Sequence, residues 1–549
     1  MFPFVDAPFG RRSRPFSVKV TQLGRSSAWR SRLALPAVIG LAAANFLWQL
    51  GSSSYFVDEV ESVTVALHPF SGLLHAVSTN EISPPAYFVF LHEWLGHVGL
   101  SAEWVARLPS ALCGAALVGC VYWLASVLCR RRAIALGAAT LTALSPFVLE
   151  YAQLAQEYVF VMLSVTAAVA ATLHAEHADR RRALWLAAGA VGAILALWLH
   201  YTAGLVVVAL CVWVATRDAF PRRWRGAFVG SCLIAGVLLV PLFVKQYQVL
   251  HRRTSVSLSA GVTTTTVERV FATPLVGRVD ALRVLGVLVA VAALVILVAS
   301  RRGIVRERRL LAVLAAGIPV ALLVLSALGA HLMLTRYAAV AAPFMIVAIA
   351  AAVVAARPRA LGVLIATGAL LVCGAGLRAS HRTRGFNLDA RGVARYIRAH
   401  ERPGDVVLAS SNPGSAVPLL YYGVRPDWIG TTATTTLVSE RKHRLWVIEL
   451  GWDSSPDATA VLEYAQSAAL TLGYRVARVR VFPAVASLAV VLDVPLASRT
   501  RPVLARGPAR HARDGSDLER LATGQARRAS TRDHGATYRD YLHHLDQVN

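Results

Sequence analysis

The sequence predicts a polytopic α-helical membrane protein of about 11 spans, with outer interfacial helices and a small extracytoplasmic α/β domain. Three observations predict this fold class. Of the 549 residues, 56% are hydrophobic, the mean hydropathy is +0.53, and the apolar residues gather in runs of about 16–22, the length that crosses a hydrocarbon core. Arginine clusters separate alternate runs, and alternating strand and helix patterns replace the apolar runs from about residue 385.

Eleven apolar runs are the candidate spans. They lie near residues 33–51, 108–129, 133–149, 158–174, 183–199, 201–216, 226–244, 281–299, 310–329, 337–356 and 359–377. Because cytoplasmic loops carry an excess of Lys and Arg, the arginine-rich connections predict a cytoplasmic N-terminus and a C-terminal domain outside the plasma membrane. The loop 245–280 is basic as well, but long loops follow the charge rule weakly.

Composition divides the chain into four parts. They are a cytoplasmic basic N-terminus (1–32), a transmembrane domain with an outer loop at 52–106 (33–380), an extracytoplasmic α/β domain (381–497) and a disordered basic tail (498–549). The third part holds strand-like segments at 405–410 and 444–450 and a predicted helix at Pro456–Leu472. It has no Cys, so we expect no disulfide framework there. The net charge of +25 fits cationic loops on anionic lipid better than a nucleic-acid groove.

Residues 84–100 are apolar enough to suggest a twelfth span, but His92, Glu93 and His97 interrupt them. We therefore predict an amphipathic helix in the outer interface. Its histidines are five residues apart, whereas a zinc-protease helix places them four apart on one face, and this excludes such a site. Ser83 is expected to cap the helix, with a Pro in its first turn.

Acidic residues without basic partners follow the first span. No Lys or Arg occurs between Leu33 and Ala106, while Asp58, Glu59 and Glu81 lie in this stretch. A carboxylate at the membrane edge takes a proton from a hydroxyl group or holds a divalent cation when its neighbours tune it. Asp58 and Glu59 are thus candidate catalytic residues, Asp58 is also a tentative metal ligand, and Glu81 is expected to face the same cavity. The alternative is the solvated first turn of a surface helix.

Further polar residues mark the outer ends of later spans. A cation there either holds a phosphate or anchors a helix among headgroups, and tyrosines there belong to a substrate site or to an aromatic belt. The candidate substrate-binding residues are Arg107, Glu150, Gln153, Glu157, Tyr158, His200, Tyr201, Arg336 and Tyr337. The cytoplasmic loops have no Asp-x-Asp pair, and we find no Walker motif, phosphate-binding glycine loop or metal-spaced Cys/His cluster.

The order of these motifs resembles the membrane glycosyltransferases of the C-type fold, in the branch of protein O-mannosyltransferases and the lipid A aminoarabinose transferase. The resemblance rests on Asp58–Glu59 after the first span, Pro84-Pro85-x-Tyr87, Arg107-Leu-Pro-Ser110, Ser145-Pro146-Phe147 and Arg336-Tyr337 with Pro343. It covers roughly residues 33–497. Relatives have His where this chain has Ser83, and they carry an Arg that is missing from the segment before Tyr158.

The resemblance implies transfer of a sugar from a polyprenyl-phosphate sugar to a hydroxyl acceptor on the outer face, with inversion at the anomeric carbon. It assigns Asp58 as the general base. Arg336, Arg107 or Lys245 would cover the leaving phosphate, with or without a divalent metal ion. The implied partners are the lipid-linked donor, the bilayer and an acceptor that is a glycan, lipid or protein, with no nucleic acid.

Three other functions stay open at this point. A transporter or flippase for a lipid-linked sugar would place charges and broken helices at mid-membrane depth. A glycan polymerase or ligase would use a large basic outer loop, which the segment 245–280 keeps possible. A catalytically silent relative would act as a partner subunit.

Overall fold

The computed structural model describes residues 20–178, 180–257, 263–277, 280–300, 303–330, 335–382, 389–409, 413–424, 427–428, 444–450, 475–481 and 487–493. The predicted helix at Pro456–Leu472 and the tail 498–549 lie outside these residues, as does most of the N-terminal segment.

Nineteen α-helices are present in the described part of the chain. They are α1 (Val20–Leu47), α2 (Val57–Ala66), α3 (Phe70–Asn80), α4 (Ala86–Val98), α5 (Glu103–Cys129), α6 (Arg132–Leu144), α7 (Pro146–Ala152), α8 (Tyr158–His177), α9 (Arg182–Leu199), α10 (Ala203–Ala215), α11 (Arg222–Ser257), α12 (Thr264–Val276), α13 (Arg283–Ala299), α14 (Arg308–Ala312), α15 (Ile318–Leu325), α16 (Ala342–Ala355), α17 (Arg359–Arg382), α18 (Ala390–His400) and α19 (Pro413–Tyr421).

The predicted polytopic helical fold is confirmed. Every one of the eleven apolar runs is helical, and among the described residues seven helices are long and apolar enough to cross a membrane. The bent pair α6–α7 is an eighth candidate, and three shorter apolar helices account for the remaining runs. The chain is therefore a multi-pass membrane protein.

The outer loop 52–106 folds into the three short helices α2, α3 and α4. At 1.5 Å per residue the 13 residues of α4 reach only about 20 Å, and α4 is not among the candidate spans. This agrees with the interfacial helix predicted there. The capping prediction is wrong: α4 begins after Pro85 without a side-chain cap, because the Ser83 hydroxyl donates to Glu157 Oε1 instead, at 2.8 Å.

Two segments depart from the expected spans and loops. The run 133–149 is bent by 59° between α6 and α7, where Ser145 caps α7 and Pro146 occupies its first turn. The expected loop 245–280 is largely helical, because α11 continues through Ser257 and Thr263 caps α12 by accepting a hydrogen bond from Thr266 N. Lys245, Arg252 and Arg253 therefore lie on α11 and Arg269 lies on α12, whereas Arg278 lies outside the described residues.

The most buried spans are α8 and α16. In their most apolar stretches 78% and 83% of the residues are buried, against 28% in α9 and 22% in α11, whose Val and Leu side chains face outward. Close packing of α9 on α8 depends on Gly189, where a Cβ atom would lie 2.2 Å from Thr172 Oγ1. Small residues at such crossings allow membrane helices to approach without large side chains between them.

A five-stranded sheet lies within the expected α/β domain. Its strands are β1 (Val406–Ala409), β2 (Asp427–Trp428), β3 (Leu445–Leu450), β4 (Arg475–Val481) and β5 (Ser487–Asp493), in the order β2-β1-β3-β5-β4. β1 is parallel to β2 and β3, and β5 is antiparallel to β3 and β4. β1 and β3 fall on the strand-like segments 405–410 and 444–450, whereas the two-residue strand β2 was not predicted. The placement of this domain outside the membrane stays a prediction.

Candidate active site

Asp58 and Arg336 meet at one end of the helical bundle. Asp58 lies in the first turn of α2, Arg336 lies in the 3-10 segment that leads into α16, and Arg336 Nη1 donates to Asp58 Oδ2. Their side chains are 20% and 22% exposed, so this pair is open to a ligand. The two residues are 278 positions apart, and the fold brings them into direct contact.

Arg336 has further hydrogen-bonding capacity. Its Nε atom is buried and has no hydrogen-bond partner among the described residues. A guanidinium group has five N–H donors in a planar fork, and Asp58 accepts from only one edge of it. A buried donor without a partner costs free energy, so the site is built for an additional acceptor.

Glu59 and Arg107 form a second, closed pair beneath the first. Arg107 donates from Nε and Nη2 to the two carboxylate oxygens of Glu59, at 2.7 and 2.8 Å. Its remaining N–H groups are matched by the carbonyl oxygens of Leu50, Ser53 and Ser54, each at 3.0 Å. Both side chains have at most 1% exposure.

This geometry corrects the sequence-based roles of both residues. No N–H of Arg107 is left for a phosphate, so Arg107 is an anchor of the fold. Glu59 also accepts from Ala155 N and Phe56 N, at 2.9 and 3.0 Å, so its oxygens hold the protein rather than a substrate. Of the two adjacent carboxylates, Asp58 and Glu59, it is therefore Asp58 that faces Arg336 and the cleft.

Glu157 lies near the Asp58–Arg336 pair and is buried. Burial raises the pKa of Glu157, while the Ser83 hydroxyl and the charge of Arg336 lower it. Gln246 fixes the same corner: it donates to Ser83 O and Val77 O, at 2.9 and 3.0 Å, and accepts from the Tyr201 hydroxyl at 2.6 Å. Sequence analysis missed Gln246; a lone amide near the end of an apolar helix was the available signal.

His200 sits between the rings of Tyr158 and Tyr337, with both centroids 5.4 Å from its own. Its Nδ1 accepts from Thr202 N and Thr202 Oγ1, at 3.2 and 2.8 Å. Since a backbone N–H only donates, the ring carries its proton on Nε2. Burial and the charge of Arg336 lower the pKa of His200 to about 3, so the ring is neutral and offers one N–H donor.

Aromatic rings enclose the cationic side of the cleft. The centre of the Arg336 guanidinium lies 5.8 Å from the ring centroid of Tyr337. Tyr151, which sequence analysis did not single out, contacts Tyr158 with the ring centroids 4.9 Å apart and the ring planes tilted by 56°. These rings exclude water from one side of Arg336, and this strengthens its interaction with an anion.

Four other predicted residues have different surroundings. Gln153 donates to the carbonyl oxygens of Phe46 and Trp48, at 3.1 and 2.8 Å, so it fixes the end of α1 rather than a substrate. Lys245 is exposed on α11, and the structure does not bring it to the Asp58 cleft. Glu81 is buried at the C-terminal end of α3, and Glu150 is buried within α7. Their role in substrate binding stays a prediction.

The donor set around Asp58 does not fit a resident divalent cation. Within the described ranges no three His, Cys, Asp or Glu side chains converge on one point. The nearest charged partner of Asp58 is the cation Arg336, which would repel a metal ion, and Glu157 is engaged by Ser83. We therefore derive no step through a metal.

The segment after α17 contacts the same outer loop. Tyr422 accepts a hydrogen bond from Tyr55 N at 2.8 Å and donates to Glu103 Oε1 at 3.0 Å. Arg391 donates to Glu103 Oε2 at 2.7 Å, and the rings of Tyr55 and Tyr421 meet edge to face at 5.4 Å. The start of α2 is thus held by the α18–α19 region as well as by Arg107.

Comparisons with known proteins agree with this arrangement. Residues 83–245 match the family described as dolichyl-phosphate-mannose-protein mannosyltransferase. The structure of ArnT from Cupriavidus metallidurans in the apo state has a TM-score of 0.51 and 15% identity, and covers 85% of this chain and 98% of that one. The chain has the C-type glycosyltransferase fold. The fold implied by the resemblance drawn from the sequence is thereby confirmed.

Two further structures match this chain with lower TM-scores. ArnT bound to undecaprenyl phosphate gives a TM-score of 0.46 at 15% identity, covering 85% of this chain and 99% of that one. The apo oligosaccharyltransferase from Archaeoglobus fulgidus gives 0.48 at 12% identity, covering 77% and 70%. No curated protein matches the chain by sequence.

The Glu59–Arg107 pair can be tested by a double-mutant cycle. Arg107→Met leaves a buried carboxylate without its partner, and we expect a loss of about 3–5 kcal/mol in stability. The double variant Glu59→Leu/Arg107→Met should lose clearly less than the sum of the two single variants. Thermal unfolding in detergent measures both. Asp218→Asn, which breaks a pair at a 99% exposed carboxylate, is the control and should change stability by less than about 0.5 kcal/mol. Additive losses would contradict the proposed coupling.

His200 predicts a defined acid sensitivity. Its pKa is depressed from 6.5 to about 3, so the unfolded chain binds a proton that the folded chain does not. Stability is therefore full above pH 6.5 and falls as the pH drops towards 3, by up to about 1.4 kcal/mol per pH unit. His200→Asn should flatten this slope in unfolding measured from pH 7 to pH 4. The exposed His97, changed to Asn, should leave the slope unaltered, and an equal slope in all three proteins would refute the assignment.

Proposed function

We propose that this protein transfers a sugar from a polyprenyl-phosphate sugar to a hydroxyl acceptor at the outer membrane face. The observation that carries the proposal is the partly exposed Asp58–Arg336 pair, which brings a candidate base and a candidate phosphate ligand together. The fold and the family match support a membrane glycosyltransferase. The description of that family names a dolichyl-phosphate sugar as the donor, and a lipid phosphate is the chemistry that Arg336 suits.

The proposed reaction is a displacement at the anomeric carbon. The acceptor oxygen attacks from the face opposite to the phosphate while its proton passes to the Asp58 carboxylate. The bond between the anomeric carbon and the phosphate oxygen breaks, and its electron pair leaves with the polyprenyl phosphate. The product sugar therefore has the inverted configuration. General-base assistance of this kind contributes about 10²–10⁴-fold.

Arg336 and His200 are proposed to receive the negative charge that develops on the leaving phosphate. Arg336 offers its buried Nε–H, and neutral His200 offers its Nε2–H without adding a charge that would repel Arg336. Donors that are already oriented stabilise a developing oxyanion without reorganisation. A Glu157 carboxylate would repel the phosphate, because both are negatively charged. We therefore assign Glu157 the role of orienting Ser83 and Arg336.

The orientation of the chain is part of the proposal. The connections at Arg130–Arg132, Arg217–Arg225 and Arg357–Arg359 all lie at the end of the bundle away from Asp58. By the positive-inside rule that end faces the cytoplasm. The active site, the region 381–497 and the acceptor would then be outside the plasma membrane, with the N-terminus inside. A polyprenyl-linked donor suits this side, where nucleotide sugars are not available.

Asp58→Asn tests the base assignment. We expect a loss of transfer of at least about 100-fold, because the amide cannot take the acceptor proton. The measurement incubates the full chain, reconstituted in vesicles, with radiolabelled polyprenyl-phosphate hexoses and pentoses and with cell-envelope acceptors. Glu93→Gln, at an exposed site on α4, is the matched control and should keep full transfer. Wild-type activity in a folded Asp58→Asn protein would refute the role, and movement of label across the vesicle without transfer would favour the transporter.

Arg336→Met tests the phosphate assignment separately. We expect kcat to fall by about 10²–10³-fold, the usual effect of removing one oxyanion donor, with weaker binding of undecaprenyl phosphate by the variant. Arg336→Lys should restore part of the affinity, since it keeps the charge without the fork. Unchanged affinity for undecaprenyl phosphate in Arg336→Met would place the phosphate elsewhere while leaving the base assignment of Asp58 intact.

A further inference from the structure

A cleft of about 480 Å³ lies at the end of the bundle opposite to Asp58. It is bounded by α16, α17 and the turn before α6. Arg131, Arg357 and Arg359 line its rim, and all three residues are exposed. It is separate from the site described above, because α16 runs the length of the bundle between them.

Within the described residues, the three cations at this rim are not neutralised by acidic side chains. In the described part of the chain no carboxylate forms an ion pair with any of them, and Arg357 Nη1 donates only to the neighbouring Ala356 O, at 2.8 Å. Acidic residues at the same end are committed elsewhere: Glu176 and Glu307 both pair with Arg217.

Below the rim the cleft is apolar. Val363, Ala366 and Leu370 line it and follow Arg359 at spacings of four, seven and eleven residues, which places them on one helical face. From Val363 to Leu370 this wall extends about 10 Å along α17. The floor is rigid, because a Cβ atom at Gly362 would lie 2.3 Å from Val353 O, so α17 rests directly on the backbone of α16.

We propose that this cleft binds an anionic glycerophospholipid of the cytoplasmic leaflet. Its phosphate lies among Arg131, Arg357 and Arg359, and one acyl chain follows the wall formed by Val363 and Leu370. The match is in both charge and shape: three guanidinium groups without an ion-pair partner among the described residues favour an anionic headgroup, and an apolar wall follows directly after them along α17. Basic clefts between membrane helices on this side are suited to such lipids. The proposal rests on the orientation proposed above but not on sugar transfer.

The test measures lipid binding to the purified full chain. Delipidated protein is titrated with phosphatidylglycerol or with phosphatidylcholine of the same acyl chains, and bound lipid is counted by native mass spectrometry. We expect the wild type to bind phosphatidylglycerol at least about tenfold more tightly. The variant Arg131→Gln/Arg357→Gln/Arg359→Gln should lose this preference. Ala366→Trp, which fills the apolar part without changing charge, should weaken phosphatidylglycerol binding to a similar degree.

A second triple variant controls for general surface charge. Arg180→Gln/Arg222→Gln/Arg223→Gln removes three exposed cations from the same end of the bundle, outside the cleft. It should keep the wild-type preference. Equal losses in the two triple variants, or no preference in the wild type, would overturn the proposal. Competition by glycerophosphoglycerol as strong as that by the whole lipid would also overturn it, since the apolar wall would then contribute nothing.

Discussion

The buried pair of Glu59 and Arg107 supports everything else at the outer end of the bundle. Removing two charges from water is costly, and only saturated hydrogen bonding offsets that cost. Here the guanidinium group joins α5 to the carbonyl groups of residues 50–54 and to α2, while the carboxylate reaches Ala155 in the turn before α8. Successive helical residues differ by about 100° in direction. Fixing Glu59 inward therefore directs Asp58 towards the cleft and Arg336.

The site combines the partly exposed Asp58–Arg336 ion pair with the neutral ring of His200. Asp58 and Arg336 compensate each other until a substrate arrives, so the empty site carries no isolated charge. His200 is held uncharged by burial and by Arg336, which lets it donate a proton in a hydrogen bond without competing for the anion. For the proposed transfer, this arrangement would be an electrostatic environment oriented in advance for charge that moves from the attacking hydroxyl to the leaving phosphate.

Hydropathy was sufficient to predict all eleven helical runs, and charge asymmetry was sufficient to direct attention to Asp58. The interaction partners of the site residues were harder to predict. Arg107 has the sequence context of a headgroup ligand, but its partner Glu59 is 48 residues away, and no local pattern encodes that meeting. Gln153 and Glu157 share one short turn, yet the first bonds α1 and the second faces the site. Periodicity predicts which residues lie on a face; which neighbour that face meets depends on the packing of distant helices.

The contact between Tyr422 and Tyr55 joins residues 367 positions apart. A chain made from its N-terminus inserts α1 and α5 early, so Arg107 and Glu59 can meet long before synthesis ends. The last bonds to the start of α2 have to wait until the ribosome has released nearly the whole membrane part. Asp58 therefore acquires its complete set of neighbours only as a late step of biogenesis. A prematurely terminated chain would form its helices but would lack the hydrogen bond from the outer loop 52–106 to Tyr422.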